Sequence, residues 1–274
     1  MSERGDGTTA RRGSGGTALP WPVAVAAALA AALFVLPLLG LVLRAPWSTA
    51  LDELAAPEVA LALRLSLVCS LAATAASIVL GMPLAWVLAR IEFRGRGLLR
   101  GLVMLPVVLP PVVGGVALLL AFGRRGIVGR GLEALFGITL PFTTAGAVLA
   151  ETFVAMPFFV LTIEGALRGL DVRLEDAART LGARPWTVFR RVTLPLLRPS
   201  LLAGAVLCWA RALGEFGATI TFAGNFPGRT QTLPLAVYAA LESRPEAGFL
   251  LSLLLLLISL AVLVALRRRW LGVP

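Results

Sequence analysis

Histidine and lysine are both missing from this sequence. Without lysine there is no phosphate-binding loop of the form GxxxxGK[ST], so the chain is not expected to hydrolyse ATP itself. Without histidine, the HExxH helix of zinc proteases and the usual serine–histidine nucleophile pairs are excluded, and a membrane-embedded enzyme is left with no reactive constellation. Cysteine is scarce: Cys69 and Cys208 each lie inside an apolar run, far apart in sequence. They read as small buried packing residues, and no disulfide, metal site or bound cofactor is expected.

What is abundant is apolar. Hydrophobic residues fill 58% of the 274 positions, and the mean hydropathy is +0.89. Such values belong to an integral membrane protein and not to one or two soluble domains. The formal charge of +10 comes from 25 basic residues, all arginine, against 15 acidic ones. A basic chain invites a nucleic-acid reading, but these arginines fall mostly between apolar runs and not on one soluble face, so no nucleic-acid partner is expected.

Residues 1–20 are rich in Gly, Ser, Thr and Arg and read as a disordered tail. Arg11-Arg12 resembles a twin-arginine export signal, but the apolar run after it, 21–43, is too long for a signal-peptide core and reads as a retained first span. A bilayer core of about 30 Å takes about 20 helical residues. By that measure five more spans follow, over 60–89, 99–122, 143–167, 196–222 and 247–266, with a short helix predicted over 232–241 and a charged tail over 268–274. The fold class is therefore all-α, a polytopic membrane protein of six transmembrane helices, with its membrane domain over 58–267.

In the second span Cys69, Ala73, Ser77, Gly81, Ala85 and Ala89 recur at every fourth position. A ladder of small residues lets helices approach closely in lipid, which places this helix at the centre of the bundle; a biased composition is the alternative. The third span carries Pro106, Pro110, Pro111 and Gly114-Gly115, so it is expected to kink or unwind near the membrane middle. Unwound backbone at that depth is tolerated against protein or a water-filled cavity, so the segment is either a cavity wall or a structural kink. Seventeen arginines lie in the two tails and the second and fourth connections, against six in the other three connections. Basic residues are retained inside, so both termini and the 170–195 connection are expected in the cytoplasm.

That connection, LDVRLEDAARTLGARPWTVFRRVTLP, is polar and rich in arginine between two apolar runs. Leu174, Ala177, Ala178 and Leu181 share one face of a short helix that Asp171 can cap and Gly182 can end. Pro185 suits the first position of a second helix with Trp186, Phe189 and Val192 on its apolar side, and Pro195 is expected to break the pattern. Two short helices about a glycine elbow make a surface fit to dock on another protein.

Asp176-Ala177-Ala178, three residues, Gly182, nine residues and Val192-x-Leu194-Pro195 together resemble the EAA loop of type I ABC importer permeases, the segment that sits in a groove of the ATPase subunit. Asp176 stands where Glu is usual, keeping the charge, and Arg184 stands where such loops often have a capping Ser or Thr. The resemblance implies that Asp176, Ala177, Ala178, Gly182, Leu194 and Pro195 couple this chain to ATPase subunits.

Arg211 and Glu215 lie inside the fifth span at i, i+4, beside a small-residue stripe of Ala210, Gly214 and Ala218, and Glu151 of the fourth span lies at a similar depth. Ionisable groups so placed mark a functional site by default, and a salt bridge that only fixes helix register is the alternative. The stretch RALGEFGATITFAGNFPGRTQTLPLAVYAALE, from Arg211 to Glu242, resembles the fifth span and following loop of molybdate permeases, and sulfate/thiosulfate permeases share its Ala-Leu-Gly-Glu part. What the resemblance implies is a plasma-membrane permease subunit that does no covalent chemistry and pairs with a second copy of itself. Two cytoplasmic ATPase subunits would hold ATP and Mg, and an extracytoplasmic binding protein would deliver molybdate or tungstate. Glu151, Arg211, Gly214 and Glu215 would then line the pathway or its gate. A sulfate or thiosulfate permease is the nearest rival, and an ion-coupled secondary transporter is the rival from another class.

Overall fold

The computed structural model describes residues 20–270, and among these the secondary structure is thirteen α-helices and one π-helical turn, with no strand. The predicted tails at 1–19 and 271–274 lie outside the described residues. The chain divides into two units at Arg44. The first contains α1, Trp21–Arg44, whose 24 residues hold no buried side chain and give about 36 Å of helix, enough to cross a bilayer core.

In the second unit a short helix α2 (Ala50–Leu54) leads into α3 (Pro57–Arg90), 34 residues long and opened by Pro57, whose fixed φ and missing N–H suit a first turn. Cys69, Ala73, Ser77, Gly81 and Ala85 are all buried on it, as the four-residue spacing predicts. They pack against α7 (Thr144–Gly169) in the largest helix–helix interface of the fold. A Cβ at position 81 would stand 2.9 Å from Phe159 Cδ1, so glycine is what lets the two backbones close.

Between them the third apolar segment is two helices, α4 (Arg96–Val108) and α5 (Pro111–Phe122). The expected kink is a complete break. Leu109 and Pro110 are extended, ψ 138° and 130°, because a residue followed by proline is driven out of the helical region, and both are. At 13 and 12 residues neither helix reaches the roughly 20 needed to span. Among the described residues five helical runs are long and apolar enough to cross a membrane, so the six-span expectation becomes five continuous runs and one broken pair.

After a short α6 (Gly129–Phe136), α7 is capped by Thr143, whose hydroxyl accepts the Gly146 amide at 3.0 Å. The 170–195 connection forms α8 (Val172–Thr180) and α9 (Pro185–Val188). Pro195 does not end that second helix: α9 passes through a π turn, Phe189–Thr193, into α10 (Leu194–Leu213) as one rod. The widened turn, in which the Leu194 amide reaches Phe189 O, gives room for a proline that would clash in an ordinary turn.

The fifth span is also interrupted. It stops at Leu213, and α11 (Gly217–Ala223) restarts after Gly214 to Phe216. α12 (Leu233–Ser243) is short and buries Leu233, Leu235 and Ala236; it packs on α13 (Pro245–Trp270). Because α13 continues to Trp270, positions 268–270 of the expected tail are helical.

Candidate functional site

The elbow is built from its caps inward. Asp171 accepts the Arg173 amide at 3.0 Å, and α8 closes through Gly182 N to Arg179 O (2.9 Å) and Ala183 N to Ala178 O (3.1 Å). Gly182 has φ +80°, a left-handed conformation in which a side chain is strained even though nothing lies near its would-be Cβ. Arg184 makes no side-chain cap to α9, and Pro185 opens that helix by its fixed φ alone.

The predicted apolar face of α8 stays open, while on the second helix Trp186 is exposed and Phe189 and Val192 are half-buried. Leu174 is 50% exposed, Leu181 88% and Trp186 69%, while Ala177 is exposed and Ala178 half-buried. Asp176 points outward and pairs only with Arg179, at 3.0 Å. Leu194 and Pro195 are half-buried at the start of α10, so they root the rod and do not share the elbow's surface. Trp186 stacks on Phe189, centroids 5.4 Å apart, and Phe189 meets the edge of Trp86 on α3 at the same distance. The aromatic trio seats the second elbow helix against the bundle.

Sequence reasoning missed Glu175, the one buried residue of α8. Its Oε1 accepts the Thr193 hydroxyl at 2.9 Å and pairs with Arg90 at 3.3 Å. Glu164 of α7 is likewise buried and pairs with Arg100 at 2.9 Å and Arg168 at 2.8 Å. Arg168 and Arg96 both donate to Leu88 O, at 3.3 and 2.9 Å, completing the last turn of α3. The Glu164–Arg168 spacing of four was a legible signal; the contacts of Glu175 with Arg90 and of Arg168 with Leu88 join residues 85 and 80 positions apart.

Within the bundle Arg211 and Glu215 pair at 2.6 Å, but across the end of α10 and not along a continuous helix. Glu215 spends its other oxygen on the Ala218 amide, 2.9 Å away, and so caps the restart at α11. Gly214 lies exposed in the break, and the small-residue stripe is divided: Ala210 is exposed and Ala218 buried. Glu151 is 2% exposed and within electrostatic reach of Glu215 and Cys69, yet it forms no ion pair with Arg211. Its Oε2 has no partner among the described residues. The three-member cluster is thus two neighbouring carboxylates with one arginine serving Glu215. Cys69 and Cys208 are free and buried, and the described residues contain no metal-binding group of three His, Cys, Asp or Glu side chains.

Residues 77–272 match the family described as the inner membrane component of binding-protein-dependent transport systems. The chain belongs to that family. Members of this inner-membrane family are transport components, so the chain is a multi-pass permease subunit that does no covalent chemistry and works with a substrate-binding protein and an ATPase subunit. Its relatives include the molybdenum transport system permease protein ModB of Mycobacterium tuberculosis (strain ATCC 25618 / H37Rv), 48% identical over 88% of this chain and 92% of that one. ModB of Escherichia coli (strain K12) is 47% identical over 77% of this chain and 92% of its own length. Among solved structures, a bacterial ABC transporter involved in alginate import superposes with a TM-score of 0.74 over 93% of this chain and 96% of that one. At 16% identity that likeness speaks to the permease's fold alone.

Proposed function

We propose that this chain is the permease of an ATP-driven importer of molybdate, with tungstate as a second cargo, working as a pair of identical subunits with both termini in the cytoplasm. The observation that carries the substrate is the 45 to 48% identity to molybdenum transport permeases from several bacteria. The elbow's open face, with Asp176, Ala177 and Gly182 outward and Leu181 and Trp186 exposed, supports docking of two ATPase subunits, which hold ATP and Mg. An apolar surface of this kind, rimmed by charge, is what a partner groove covers.

Cargo passes near the broken helices. Arg211 is 28% exposed and supplies positive charge beside Gly214, where the backbone is already unwound. Glu215 holds it in place and Glu151 stands behind. ATP-driven closure of the ATPase pair moves the elbow and rocks the spans between inward-open and outward-open states.

The test is uptake of labelled molybdate by vesicles holding the permease, its ATPase and its binding protein. ATP-dependent accumulation that molybdate and tungstate compete for, and sulfate does not, is the expected result. Preference for sulfate by the binding protein would move the assignment to a sulfate permease, and uptake without ATP would move it to a secondary transporter.

A further inference from the structure

We propose that Glu175 is the residue through which the elbow's movement reaches the bundle, a positioning role distinct from the docking role of its neighbour Asp176. The inference rests on the docking reading above and adds to it the linkage behind the docking surface.

Adjacent carboxylates on one short helix share Arg179, at 3.7 Å from Glu175 and 3.0 Å from Asp176, but differ in burial. Asp176 is exposed, with a side-chain exposure of 59%, and touches only Arg179 of its own helix. Glu175 is 4% exposed and reaches two other elements: Arg90 at the end of α3, and Thr193 in the π turn within the long rod. A buried carboxylate is held where its partners are, because separating it from them leaves a charge without water or counter-ion. The elbow therefore cannot shift without carrying α3 and the rod along.

The linkage continues past Arg90. Two residues earlier in α3, the carbonyl of Leu88 accepts both Arg96 and Arg168, and Arg96 also bonds Ala89 O at 3.3 Å. Arg168 is fastened to Glu164, and Glu164 to Arg100 on α4. From docking surface to the first half of the broken segment the link runs from Glu175 to Arg90, through two residues of α3 backbone to the Leu88 carbonyl, and on by polar contacts to Arg168, Glu164 and Arg100. Every member but the two glutamates is an arginine or a main-chain carbonyl, so each contact is directional. The aromatic contact of Phe189 with Trp86 runs alongside it between the rod and α3, and aromatic packing of that kind tolerates sliding where a buried ion pair does not.

The intact complex in vesicles gives three readouts: ATPase subunit retained, ATP hydrolysed, and cargo moved per ATP. Glu175→Gln is expected to retain the ATPase subunit and hydrolyse ATP while cargo per ATP falls about fivefold or more, the scale of a broken coupling between sites. Arg90→Gln should lower the ratio as well, and the double variant should be no worse than Glu175→Gln alone, since Arg90 acts through that glutamate. Glu175→Asp should restore part of the ratio. Asp176→Asn should instead weaken ATPase retention.

Normal cargo per ATP in Glu175→Gln with the ATPase subunit bound would overturn the proposal, as would defects that multiply in the double variant. Should Glu175→Gln fail to assemble, Thr193→Val removes one hydrogen bond and leaves the ion pair; it is expected to lower the ratio about twofold to threefold, and an unchanged ratio there overturns the proposal. An unmodified chain that cannot retain the ATPase subunit would sink the docking reading itself, before any variant was compared.

Discussion

Arg211 and Glu215 satisfy each other at 2.6 Å, and the same glutamate caps α11, so this pair both carries charge and fixes where the backbone resumes. Replacing Arg211 with Leu strands a carboxylate that is 1% exposed, at a cost of about 3–5 kcal/mol if the site cannot rearrange. Transport is expected to fall at least tenfold while ATPase retention is unchanged, checked by uptake and co-purification; loss of assembly would show that the pair serves packing only. The residue scale is also where sequence reading reached least far. Arg211 and Glu215 were legible because charge inside an apolar run is conspicuous whatever its partner. Glu175 was not, because it sits in a polar helix where a glutamate attracts no notice, and what buries it is Arg90, 85 positions away.

At the scale of elements, periodicity and punctuation served well. The small-residue ladder of α3, the caps of α8 and the glycine elbow all formed as their spacing required. What averaged hydropathy does not register is a short stretch of non-helical main chain: Gly214 to Phe216 interrupt the fifth span, and Glu215 between them reads only as a lone charge in an apolar run. Pro110 and Pro111 did announce their break, since each proline acts on the residue before it. Replacing both with alanine should let α4 and α5 fuse into one helix over 96–122; the expected result is a gain of helical circular dichroism and a transport rate at least tenfold lower. An undiminished rate would make the break a matter of packing. In the elbow, Gly182→Val places a branched side chain at φ +80°, a strain of about 1–2 kcal/mol. Cargo moved per ATP is expected to drop while ATP is still hydrolysed, read from paired uptake and phosphate-release measurements.

For the whole molecule, the arrangement proposed here makes one geometric demand: the elbow must lie on the ATP side of the membrane, together with the arginine-rich ends of α3, α7 and α10. A cysteine introduced for Trp186, in a background with Cys69 and Cys208 replaced by serine, should react with an impermeant thiol reagent only in inside-out vesicles. Labelling from the outer face would reverse the topology and remove the docking reading. Native mass measurement should find two copies of the chain per complex. Both expectations follow from charge distribution and family membership; the all-α membrane fold was legible in the sequence, whereas the count of unbroken spans was not.

The wide turn at Phe189–Thr193 has a mechanical corollary. The i→i−5 bond from Leu194 to Phe189 takes up one surplus residue within a single wide turn, so Trp186 keeps its bearing on the shaft below. Deleting one residue there would tighten the turn to ordinary pitch and drive the Pro195 ring against the carbonyl one turn before it, bending the dowel at the point where its key is cut.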